Sequence, residues 1–128
     1  FDGKDSQDVK IALDNLNIPG LSFELKTLSN TKGEDITGVY IVLSDWNAWN
    51  PTDLAFHMMQ LSALWEEPSP FGEASESESK LFNKHVGSTL WWNTLIREGS
   101  AVETEKFITN WKLESQAFRD QTSKYLLY

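Results

Sequence analysis

Asp53 and His57 stand four residues apart, a spacing that turns both side chains to one side of a helix. A carboxylate beside an imidazole can work as a general acid–base pair, or as two ligands of a metal held by oxygen and nitrogen. A plainer reading competes with this. Asn50 suits a helix cap, Pro51 the first helical position, and Asp53 the place of a capping-box carboxylate, which leaves His57 as an ordinary, partly exposed residue. No His-Glu-x-x-His motif, EF-hand loop or phosphate-binding glycine loop accompanies the pair. The second histidine, His85, is predicted on the apolar face of a helix with Leu81, Trp92 and Ile96, as a core imidazole with a satisfied ring. Two histidines with no activated serine do not assemble a catalytic triad. No catalytic residue, metal or cofactor is assigned on this basis.

The aromatic residues are more suggestive. Asp45-Trp46-Asn47-Ala48-Trp49-Asn50 sets two indoles beside hydrogen-bonding side chains, the chemistry that holds a sugar or another flat ligand. Trp49 has an alternative use, because it precedes the cap and can clasp Leu54 as a hydrophobic staple. Trp46 has none. Trp91 and Trp92 are neighbours, and neighbours on a helix point about 100° apart. On one helix over residues 78–98, Trp92 joins Leu81, His85 and Ile96, and Trp91 falls among Lys80, Lys84, Gly87, Thr94 and Glu98. A tryptophan on a polar face is either an anchor for a partner or is covered within the chain, by the acidic loop or the first helix.

These residues need elements to position them. Val9, Ala12, Leu13 and Leu16 predict a first helix, capped by Asp5 or Ser6 and stopped at Ile18-Pro19-Gly20. Leu21, Phe23 and Leu25 alternate with polar residues and predict a strand with one wet face. After the turn-rich Ser29 to Asp35, the run Val39 to Leu43 predicts a second strand, covered on both faces and paired antiparallel with the first. The second helix, from Pro51, is apolar nearly all round, with Asp53, His57 and Gln60 as its polar seam. Residues 66–79, rich in Pro, Ser and Glu, predict a mobile acidic loop. A third helix should end at Gly99. The fourth should carry Thr104, Ile108, Trp111, Ser115, Phe118, Thr122 and Tyr125 in 4-3 spacing and fold back on the third, with Trp92, Ile108, Trp111 and Phe118 inside.

The expected fold class is therefore α+β, a single domain over residues 1–128 in the order α-β-β-α-α-α. Its net charge of −8, from 19 acidic and 11 basic residues, disfavours nucleic acid and anionic lipid. Absence of cysteine excludes disulfides and thiolate chemistry. No apolar run approaches the length of a membrane span. The chain opens at Phe1, from which an exported or surface-anchored domain is expected, with a cytoplasmic protein as the alternative.

No stretch carries a motif set that identifies a family. The reading that follows is a non-enzymatic domain that binds a protein partner or assembles with itself. Its expected binding residues are Trp91, Trp46, Trp49, Asn47 and His57. A carbohydrate- or small-molecule-binding module built on Trp46, Trp49 and Asn47 is the alternative, and a small hydrolase using Asp53 and His57 the third.

Overall fold

The chain's two strands are joined by a turn that one side chain organises. In the computed structural model, which describes residues 3–125, β1 (Leu21–Ser29) pairs antiparallel with β2 (Asp35–Leu43), in a register running from Leu21 opposite Leu43 to Ser29 opposite Asp35. Between them the Asn30 side-chain oxygen accepts from the backbone N–H of Lys32 (2.8 Å) and of Glu34 (3.0 Å). Gly33 takes the left-handed conformation, φ 79°, that closes the turn. Thr27 and Thr37, directly opposite, share a hydroxyl hydrogen bond of 2.8 Å.

Helix α1 (Ser6–Asn15) starts where Asp5 accepts from the backbone N–H of Gln7. It packs against both strands, and its Ser6 hydroxyl donates to the carbonyl of Thr37 at 2.6 Å. Val9, Leu13, Ile18 and Phe23 are buried in this part of the chain. The expectation that β2 is covered on both faces is corrected. Tyr40 and Ile41 point to opposite faces, and both are about half exposed. Lys26 lies over the Tyr40 ring, 3.4 Å from its centroid, so the outer face is topped by a cation–π pair rather than by another layer.

The chain forms two compact units, divided between His57 and Met58. Helix α2 (Pro51–Trp65) begins in the first and ends in the second. The second unit is helical. Where one helix was predicted over residues 78–98 there are two: α3 (Glu76–Val86) and α4 (Thr89–Glu98). Ser75 and Glu78 form a reciprocal capping box at the start of α3, and the Ser75 hydrogen bonds hold the Glu78 carboxyl below its usual range. Gly87 then ends α3 in the left-handed conformation, and the Ser88 hydroxyl accepts from the Trp91 backbone N–H to start α4. The acidic stretch of residues 66–79 thus gives its last four residues to α3, and its one large apolar side chain, Phe71, meets Phe82 and Trp92 edge-on.

A short 3-10 turn (Gly99–Ala101) leads to α5 (Thr104–Thr122). Gln60 of α2 secures this junction. Its amide nitrogen donates to the carbonyls of Ser100 (3.1 Å) and Val102 (2.9 Å), and its oxygen accepts from the buried Thr104 hydroxyl (2.8 Å). A partly buried amide is satisfied at both ends, and the short link between α4 and α5 gains fixed partners. The fourth predicted helix is present, and its stripe is buried only at the start. Thr104 and Ile108 are buried and Trp111 half-buried, but Phe118 is 65% exposed, so the stripe is not inside as far as Phe118. The fold class is α+β, as its sequence predicts, with one helix more than expected.

Candidate functional site

The loop from β2 to α2 is fastened at a glycine. The Gly20 carbonyl accepts from the backbone N–H of Ser44 (2.8 Å) and Asp45 (3.2 Å). Gly20 has φ 79°, and a Cβ there would overlap the carbonyl oxygen of Asp45 and lie 2.9 Å from the Trp49 nitrogen. Only glycine lets the two stretches approach this closely. Within the loop, the Asp45 carboxylate accepts from the Asn47 N–H (2.8 Å) and its carbonyl from the Trp49 N–H (3.1 Å). This is a side-chain-mimicked turn that fixes the direction of the intervening residues. The sequence marks Pro19-Gly20 as a helix stop but gives no sign of this second role.

On this braced loop Trp46 is 76% exposed and meets Trp49 edge-to-face, with ring centroids 6.1 Å apart. Asn47 and Asp45 beside it are exposed, and Trp49 is half-buried. The Trp49 indole N–H is itself buried and finds no hydrogen-bond partner among the described residues. An orphaned donor beside an exposed indole breaks two packing rules at one place, and such breaks gather at functional sites. The structure thus brings Trp46, Asn47 and Trp49 together, as the sequence suggests.

The other candidates fare differently. Asn50 caps α2 by accepting from the Thr52 N–H (3.3 Å) and hydroxyl (2.9 Å). Asp53 and His57 follow on α2, 6% and 5% exposed, so the partly exposed His57 of the sequence reading is corrected to a buried one. Burial leaves the pair no open face on which to receive a substrate. His85 is exposed rather than part of the core, because α3 ends one residue later and the apolar face drawn through it does not continue.

Trp91 requires the largest correction. It is 0% exposed, donates its indole N–H to the sulfur of Met59 (2.9 Å) and packs on Phe107 with ring centroids 4.6 Å apart. The break at Gly87-Ser88 resets the helical phase, so a wheel drawn through residues 78–98 misplaces every residue after it. Trp92 is buried as well, against Phe82 (4.7 Å) and Phe71 (6.1 Å). Both indoles of α4 are core, and Trp91 is no surface anchor.

Comparison with known proteins bears on function directly. Residues 2–128 match the family model described as exo-beta-N-acetylmuramidase NamZ, C-terminal. Among solved structures, a DUF1343 family protein from Bacteroides fragilis is similar, with TM-score 0.75 and 23% identity over 98% of this chain. The chain spans 33% of the length of that protein, and the likeness bears on the fold alone. No curated protein matches the chain. The expectation of a non-enzymatic domain for protein binding or self-assembly is overturned here. Its main support, an exposed Trp91, is absent, and the matching family is named for a glycoside-cleaving enzyme. Among the described residues no helix is long and apolar enough to cross a membrane. By a match covering nearly its whole length, the chain belongs to the family of C-terminal domains of the exo-beta-N-acetylmuramidase NamZ.

Proposed function

We propose that this domain serves a glycoside hydrolase that removes N-acetylmuramyl residues from the end of a glycan, and that it grips the sugar through Trp46. The observation that carries the reading is the family match over residues 2–128, joined to an indole left 76% exposed on a loop braced by Gly20. A pyranose has an apolar face of C–H groups and a rim of hydroxyls. An exposed indole suits the face and the amide of Asn47 the rim, while the Asp45 carboxylate is engaged by the Asn47 N–H. Cleavage of a glycosidic bond runs on two carboxyl groups flanking it. Asp53 is buried, so substrate contact is the contribution assigned to the loop residues. Because N-acetylmuramyl glycan is cell-wall material, an extracytoplasmic location fits this reading.

Hydrolysis of a 4-nitrophenyl N-acetyl-β-muramide by the enzyme carrying this domain tests it. With Trp46→Ala, KM is expected to rise by roughly tenfold with kcat held, because binding common to ground and transition states is removed. An unchanged KM overturns the platform. Absence of hydrolysis by the wild-type enzyme overturns the glycosidase reading itself.

A further inference from the structure

We propose a second sugar site, lying between the start of α4 and the middle of α5 and selective for an uncharged N-acetylhexosamine. The inference rests on the glycan reading for its choice of ligand and on separate residues for its geometry. An open cavity of about 440 Å³ lies there, within the roughly 300–1,000 Å³ of small-ligand sites. Its residues include Ser88, Thr89, Phe107, Asn110, Trp111 and Glu114.

The wall of this cavity is a braced aromatic. Trp111 lies 5.9 Å from Phe107 at an interplanar angle of 30°, and Phe107 lies 4.6 Å from the fully buried Trp91. A half-buried indole set against Phe107, which is itself anchored on Trp91, holds its orientation at little entropic cost, as a stacking platform for a pyranose must. Polar groups stand around it. Asn110 and Glu114 are one helical turn apart on α5 and exposed, so an amide and a carboxylate point from the same side. The amide can both donate to and accept from an N-acetyl group, and the carboxylate can accept from sugar hydroxyls. The Ser88 hydroxyl accepts from the Trp91 backbone N–H at 3.1 Å and keeps its own proton to donate, beside the hydroxyl of Thr89.

Charge sets the selectivity. Glu114 is the charged residue of the lining, and no Lys or Arg accompanies it. A muramic acid carries a carboxylate, which Glu114 repels; a neutral hexosamine has no such penalty. The site at Trp111 is therefore suited to an uncharged hexosamine.

The 15N-labelled chain, titrated with N-acetylglucosamine and separately with N-acetylmuramic acid, tests this through the indole N–H signals of its tryptophans. Saturable shifts of the Trp111 signal are expected, with N-acetylglucosamine favoured roughly fivefold by the repulsion of two charges about 4 Å apart. Glu114→Gln should remove that preference. Asn110→Ala should weaken binding at Trp111 roughly fivefold and leave shifts at Trp46 unchanged. Both substitutions are at exposed positions, so they leave the fold intact. Shifts at Trp46 without any at Trp111 overturn the second site and leave the glycan reading standing. Shifts at neither overturn both. Equal response to the two sugars, unmoved by Glu114→Gln, overturns the selectivity.

Discussion

The two tryptophan pairs of this chain make opposite use of the same side chain. Trp46 and Trp49 sit on a loop fixed by backbone hydrogen bonds, and the first of them is left mostly in solvent. Trp91 and Trp92 sit side by side on a ten-residue helix, and both are buried. Residue type does not separate the pairs. What surrounds each backbone does: the two indoles of α4 have partners within the chain, Met59 and Phe107 for Trp91 and Phe71 and Phe82 for Trp92. The loop has a glycine beneath it and no packing partner for Trp46 beyond Trp49 among the aromatic contacts described. An exposed tryptophan is informative when the backbone that presents it is held rigid.

Truncating Trp91 should break this contrast most violently. Trp91→Ala empties the middle of the helical unit and is expected to cost about 3–5 kcal/mol, read as a large fall in the urea midpoint. A midpoint within error of wild type would mean that Trp91 is not core. A smaller effect is expected at the fastening glycine. Gly20→Ala combines a left-handed φ with overlap of the Asp45 carbonyl, at about 1–3 kcal/mol of strain. It should also release the aromatic loop, visible as altered Trp46 fluorescence. Wild-type stability and an unaltered spectrum would show that the loop does not depend on that close approach.

Much of this was legible in the residues, and the failures share a cause. Alternation at Leu21, Phe23 and Leu25 located the first strand, and the run Val39 to Leu43 the second. Asn50-Pro51 marked the start of α2 to the residue. The aromatic loop was also readable, since Trp46 lacked any capping or core role. The errors at Trp91 and His85 both follow from carrying helical periodicity through Gly87-Ser88. A glycine able to turn left-handed, followed by a serine able to cap, is a stop and a start, and every angle after it is measured from a new origin. Phe118 was misjudged for another reason. Periodicity records which residues share a face of α5, and says nothing of how far along the helix a packing partner reaches. No pattern signalled the link to a glycoside hydrolase family, because its evidence is a likeness spread over the whole chain and not a short motif.

The smallest expected change in stability belongs to Trp46, and the largest change in binding. Trp46→Ala removes an exposed ring and should alter stability by no more than about 0.5 kcal/mol. Isothermal titration of N-acetylmuramic acid into the wild-type chain and this variant, each with its own urea curve, tests the central claim most directly. Saturable binding by wild type is predicted, with affinity reduced roughly tenfold or more in the variant at an unchanged urea midpoint. Equal affinity in a folded Trp46→Ala chain, or no binding by wild type, would contradict it.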